Sequence, residues 1–322
     1  METLIEPFQF EFFRHGLLAA LMVGALCGLI GVYIVLKGMS YIGHGLSHAA
    51  FGGAVVGFTF KLNFYVGAAA AGLIAALLIN QITRGKKIKS DAAIGIVTTA
   101  CFALGVAIIS RLRRFTQSFE AALFGNILGV NENDLIVIAV VTCLTIVTVF
   151  VTYRSMLFTT FDIDAAQVFG IRTGRAQLIF AFILTMAIIA SMNVVGVTMI
   201  AATIVVPAVT ARLLTDSFSR MLILSTCIGA VIGVAGMYLS YYFNAASGAT
   251  IVLFGASVFI LVSAFNYFKE RYVYRERTHR HGELVHTHRV GPGHTKHNHT
   301  HHEHTHDEET PATNQPAAKE IP

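Results

Sequence analysis

The feature that most constrains this chain is a succession of uncharged stretches about as long as a bilayer is thick. A helix rises about 1.5 Å per residue and needs about 20 apolar residues to cross the hydrocarbon layer. Residues 16 to 36, 41 to 60, 62 to 82, 92 to 110 and 135 to 152 contain no Asp, Glu, Lys or Arg, and each suits one span. Residues 176 to 211 and 221 to 268 are equally uncharged but too long for one helix. Each is expected to fold back once, at Asn193 to Gly196 and at Asn244 to Gly248. The expected fold is an all-α integral membrane protein, a polytopic bundle of about eight or nine transmembrane helices over residues 1–268. Only 13% of the 322 residues are charged and the mean hydropathy is +0.66, whereas soluble domains are about a quarter charged. The bilayer, not water, is the solvent this sequence anticipates. The chain begins METLIEPFQFEFFR, with acids and aromatics in place of a basic signal-peptide start, so the first apolar run is expected to be a true span.

The formal charge of +5 lies in short basic clusters between the spans. Lys86, Lys87 and Lys89 form one, Arg154 with Arg172 and Arg175 a second, and Lys269, Arg271, Arg275 and Arg277 a third. Such clusters mark cytoplasmic loops, so nucleic acid is not an expected partner, the N-terminus should lie outside and the C-terminal tail in the cytosol. Arg111, Arg113 and Arg114 would then lie outside, against the rule, unless residues 115 to 130 dip into the membrane. Cys27, Cys101, Cys143 and Cys227 sit in apolar runs without a CxxC pair, and read as small core residues. The spacings Gly24 to Gly28, Gly53 to Gly57 and Gly229 to Gly233 would allow close helix approach. Pro207 removes one helical hydrogen bond and frees the Thr203 carbonyl. With Gly196 it is a candidate helix break or gating position.

Residues 269–322 form a second region, a cytoplasmic, His-rich tail with too little apolar surface to fold alone, and disorder is expected there. Eleven of the 14 histidines lie between His279 and His306. Neutral imidazole suits zinc, copper and nickel, and a flexible tract can offer several nitrogens to one ion. His297, His299, His301, His302, His304 and His306 are the tail's candidate metal ligands, the alternative being a solvated low-complexity end. His44 and His48 stand within YIGHGLSHAAFGG, at an i, i+4 spacing that puts both on one helical face. Ionisable residues inside a span usually face a cavity or partner helix, and suggest a transport path. The bland reading is a neutral pair bonded to neighbouring backbone. Two nitrogens would hold an ion loosely, as a path requires; a closed four-ligand site would not release it.

The stretch FDIDAAQVFGI, residues 161 to 171, reads as a short amphipathic helix in a cytoplasmic loop, with Ala165, Val168 and Phe169 on one side. Asp162 and Asp164 open it, where acids favour the helix dipole, and Gly170 would end it. It could dock another subunit, or be an ordinary surface helix. No GxxxxGK[ST] phosphate loop occurs, so ATP hydrolysis in the usual way is excluded, and no nucleophile–base grouping suggests an enzyme.

YIGHGLSHAAFGG, KSDAAIGIV at 89 to 97, LFGNILGV at 123 to 130, FDIDAAQVFGI and VVGVTMIAATIVVPAVTARLL at 194 to 214 resemble, in order, signatures of the metal-uptake ABC permeases. The resemblance covers roughly residues 12 to 268. It implies a multi-pass permease subunit of the cytoplasmic (inner) membrane that moves zinc, manganese or iron and binds no permanent cofactor. It also implies a second permease protomer, cytoplasmic ATPase subunits that bind the ATP, and an extracytoplasmic metal-binding protein. On the same resemblance Asp162, Ala165, Ala166 and Gly170 would belong to the coupling helix that meets the ATPase, and His44 and His48 would border the ion path. Many relatives carry Asp where this chain has His44, and Pro-Gly where it has Gly52-Gly53. Exchanging a hard oxygen ligand for imidazole should move preference from manganese toward zinc. The competing reading is a secondary zinc or cation transporter driven by an ion gradient, which would want more carboxylates in the spans. An organic-chelate permease would leave the histidines without a role.

Overall fold

A computed structural model describes residues 6–84, 87–112, 124–273, 275–281 and 284–290. Lys86, Arg113, Arg114, residues 115–123 and His294 to His306 lie outside the described residues. Two compact units divide the chain, Met1–Tyr267 and Phe268–Pro322.

The described residues of the first unit form helices joined by turns and short loops. After a 3-10 turn at Glu6–Gln9 come α1 (Glu11–Leu36), α2 (Ile42–Thr59), α3 (Phe64–Arg84), α4 (Ser90–Leu112), a 3-10 turn at Ile127–Gly129 and α5 (Glu132–Val151). Two short helices follow, α6 (Tyr153–Phe161) and α7 (Ile163–Val168), then α8 (Thr173–Val195), α9 (Ile200–Leu214), α10 (Phe218–Phe243) and α11 (Ser247–Val273). Every uncharged run became a helix, and both over-long runs fold back, between Val195 and Ile200 and between Phe243 and Ser247. Seven of the helices, among the described residues, are long and apolar enough to cross a membrane. The two others from the apolar runs are shorter. α9 has 15 residues, a rise of only about 22 Å, so it corrects the expectation of a full seventh span.

Gly196 makes the first fold-back possible. Its φ of 89° is accessible to glycine at no steric cost, and α8 stops there before α9 starts in the reverse sense. Pro207 does not break its helix: α9 runs continuously through it.

α1 is the central strut, buried along most of its length, and it packs against α10 through glycines. A Cβ on Gly24 would overlap the Gly229 carbonyl, one on Gly28 the Ser225 carbonyl, and one on Gly233 the Ala20 carbonyl. Gly53 and Gly57 of α2 likewise lie against Gly67 of α3. Where lipid removes the hydrophobic drive between helices, close backbone approach and dispersion hold them instead. Ser225 adds a hydrogen bond from its hydroxyl to the Gly28 carbonyl at 2.5 Å.

α5 and α11 sit at the periphery, only 17% buried over their spanning windows. Ile136, Val140, Val147 and Phe150 of α5 are exposed, as side chains facing acyl chains should be. The cysteines follow the same rule, and two of them correct the sequence reading. Cys27 is buried and Cys101 half-buried, but Cys143 and Cys227 are exposed. In a bilayer an apolar residue is as comfortable against lipid as against protein, so apolar character does not sort core from surface.

In the second unit β1 (Arg275–His281) and β2 (Leu284–Val290) pair antiparallel, with His279 opposite His286 and Thr278 opposite Thr287. An antiparallel ladder is satisfied by backbone hydrogen bonds alone, and β-branched Val285, Thr287 and Val290 favour β2 while β1 has Thr278, with Gly282-Glu283 between the two segments in the sequence. Residues 291–322, the rest of the tail after this hairpin, lie outside the described residues.

Candidate ion path and coupling segment

His44 and His48 lie in the first turns of α2, one turn apart as their spacing requires. Their ring centroids are 4.5 Å apart at 82°, and His48 also meets the Phe102 ring of α4 edge-on at 4.8 Å. His44 is exposed and His48 half-buried. The position of α2 is fixed from behind by Ser47, whose hydroxyl is 2.9 Å from the Val197 carbonyl and 2.8 Å from that of His44. Val197 belongs to the turn between α8 and α9, so the histidine helix is tied to the fold-back at Gly196.

The two rings open onto a cavity of about 370 Å³ between α2 and α4. Tyr41, Asp91, Thr98, Thr99 and Phe102 complete the polar and aromatic part of its wall. Asp91 escaped sequence reasoning, although it stands in KSDAAIGIV. Its acidic position in the first turn of α4 is explained by the helix dipole alone, and nothing in the sequence says which turn of α2 it will meet. The His48 Nδ1 is buried with no hydrogen-bond partner. A buried polar atom left unbonded is costly, and an arriving cation is a chemically suitable partner for an imidazole lone pair. His44, His48 and Asp91 share the cavity without converging on one point; the group of three ligand atoms that does converge, among the described residues, lies elsewhere.

The segment FDIDAAQVFGI forms α7 with both ends capped. The Asp162 carboxylate accepts hydrogen bonds from the Asp164 and Ala165 amides, each at 2.9 Å. At the other end Gly170, with φ +73°, lets its own amide donate to the Gln167 carbonyl and the Ile171 amide to that of Ala166. That pair of bonds is the Schellman closure. The apolar side differs from the expected one: Ala166 is buried, Ala165 half-buried, and Val168 and Phe169 are 86% and 65% exposed. The preceding α6 is anchored to the bundle by Lys37, just past the end of α1, whose Nζ donates to the Thr159 carbonyl at 3.4 Å and lies 5.0 Å over the Phe180 ring.

Comparison with known proteins adds a family to this geometry. The family model described as "ABC 3 transport family" matches residues 9–266. The chain is 35% identical over 257 residues to the manganese transport system membrane protein MntC of Listeria monocytogenes, covering 80% of this chain and 91% of that one. It is 36% identical over 268 residues to the manganese import system permease protein ScaB of Streptococcus gordonii, covering 83% and 96%. The chelated iron transport system membrane protein YfeC of Yersinia pestis is 31% identical over 260 residues, covering 81% and 88%. Among solved structures, PsaBC from Streptococcus pneumoniae in complex with Fab contains a chain with a TM-score of 0.74 and 34% identity, over 84% of this chain and 98% of that one.

Proposed function

Because this chain belongs to the ABC 3 transport family, and so is the multi-pass permease subunit of an ATP-driven metal importer, we propose that its ion passes the His44–His48 cavity and that zinc is preferred over manganese. The carrying observation is the imidazole pair on the cavity wall, with one buried nitrogen left unbonded. Borderline cations with affinity for nitrogen suit such a lining better than hard ones. Manganese is the second reading, favoured by the Asp91 oxygen in the same cavity and by the names of the MntC and ScaB relatives.

α7 is the element that receives the ATPase. Its capped ends make it rigid, and exposed Val168 and Phe169 offer an apolar face for a partner. That assignment orients the chain. α7 is cytoplasmic, the start of α1 is outside, the tail is in the cytosol, and the membrane is the cytoplasmic one. Two permease protomers, alike or different, enclose the path and rock against one another as ATP is used, while an extracytoplasmic protein delivers the metal. The tail histidines, His297 to His306 foremost, bind metal on the cytosolic side.

The test is metal uptake by proteoliposomes carrying the chain, with and without its ATPase subunit, binding protein and ATP, comparing zinc, manganese and iron. Uptake only with the full system, and fastest for zinc, is the expected result. Transport by the chain alone that collapses with the proton gradient would replace the reading by a secondary transporter.

A further inference from the structure

Glu11 and His15 lie one turn apart at the start of α1, and Glu132 opens α5; one ligand atom from each lies within 4.8 Å of the others. We propose that these three side chains form a second divalent-cation site, at the end of the bundle opposite α7, where an ion rests before entering the cavity beside His44 and His48.

The placement follows from two independent helices. α5 begins at Glu132 and ends at Val151, where the chain enters α6 and α7. The far end of α1 reaches the same region, because Lys37 binds the Thr159 carbonyl. Glu11, His15 and Glu132 therefore sit at the opposite ends of both spans. With α7 on the cytosolic side, as proposed above, the site faces the compartment from which the metal comes.

The helix dipole accounts for each glutamate singly, since acids favour first turns. It does not account for their meeting. Two carboxylates held this close repel each other, and no Lys or Arg pairs with them among the described residues. The neighbouring acid is already engaged: Asp134 closes the capping box of α5 with Asn131 and accepts from the Tyr65 hydroxyl. Glu11, His15 and Glu132 are left for something else. Two oxygens and one nitrogen, with exposed carboxylates and a half-buried ring, make a harder ligand set than the imidazole pair, suited to Mn2+, Fe2+ or Zn2+ and open enough to release them. The sequence hid this site. His15 has no metal-ligand spacing with any other histidine, and its second carboxylate comes from a helix far along the chain.

Mn2+ is the probe of choice because it binds imidazole tracts weakly, which keeps the tail out of the measurement. The full-length chain in detergent is titrated with Mn2+ and free ion is read by electron paramagnetic resonance. The expected result is a Mn2+ ion bound at micromolar concentration in the native chain and in His44→Ala/His48→Ala, and affinity lowered about tenfold or more in Glu11→Gln/Glu132→Gln and in His15→Ala. The Mn2+-induced rise in Tm should vanish in the same variants while their ion-free Tm holds, which separates ligand loss from misfolding. Unchanged affinity in the carboxylate variant, or occupancy only at millimolar Mn2+, overturns the site. Binding needs neither ATPase nor ATP, so it stands or falls apart from the transport reading.

Discussion

The unbonded Nδ1 of His48 and the ring of His44 beside it show how much one residue can decide in a path. An oxygen at position 44 would harden the ligand set without changing the helix, since Asp is tolerated in a first turn. His44→Asp is expected to lower the zinc-to-manganese uptake ratio several-fold, read by competitive uptake in proteoliposomes; an unchanged ratio would remove His44 from selectivity. Lys37 is a second such residue. Burial pushes its ammonium down to about 8, so below that pH the folded chain carries a charge it would rather lose. Because the folded form releases the proton before the unfolded one does, this penalty is relieved as pH rises from about 8 toward the ordinary lysine range. Stability in detergent should therefore climb over that window, and the climb should flatten in Lys37→Met.

Among the elements, α7 depends on its caps because six residues are too few to hold a helix by propensity. Asp162→Ala removes the acceptor for two amides and should cost about 1 kcal/mol of local stability. The expected readout is ATP hydrolysis by the assembled complex that no longer responds to metal and binding protein, with Asp162→Asn close to native. The seam between α1 and α10 is less forgiving. Gly24→Val would drive side-chain atoms into the Gly229 backbone, at a cost of about 1–3 kcal/mol or more; a several-degree fall in Tm checks it. These elements were legible to different degrees. Uncharged length gave the spans, and the Gly-xxx-Gly spacings gave the seam. The turn before α9 was legible at Asn193 to Gly196, but the shortness of α9 was not, because the uncharged run does not tell that Val197 to Met199 stay outside the helix. Nor was the exposed side of α7, since apolar residues that await a protein partner look in sequence like residues already buried.

For the molecule as a whole, the charge pattern and apolar runs made a membrane bundle readable, while the convergence of residues distant in sequence did not follow from either. Asp91 joined the cavity, and Glu132 joined Glu11 and His15, through helix packing that no local spacing encodes. The tail is the part whose role rests on chemistry alone. Deleting residues 279 to 306 should leave uptake intact at low external metal and weaken its shut-off at high metal, measured as accumulated ion in cells. Loss of uptake under every condition would make the tail part of the transport machinery.

The α1–α10 seam has a mechanical consequence. Carbonyls resting on glycines leave no rotamers to rearrange and no slack to take up, so the two helices behave as a single stiff rod running from Lys37 at one end to Glu11 and His15 at the other. A rod can transmit a push but cannot open a gate within itself. The motion that admits the ion must then fall to helices outside the rod, among them α2 and α4 where they border the cavity beside His44 and His48.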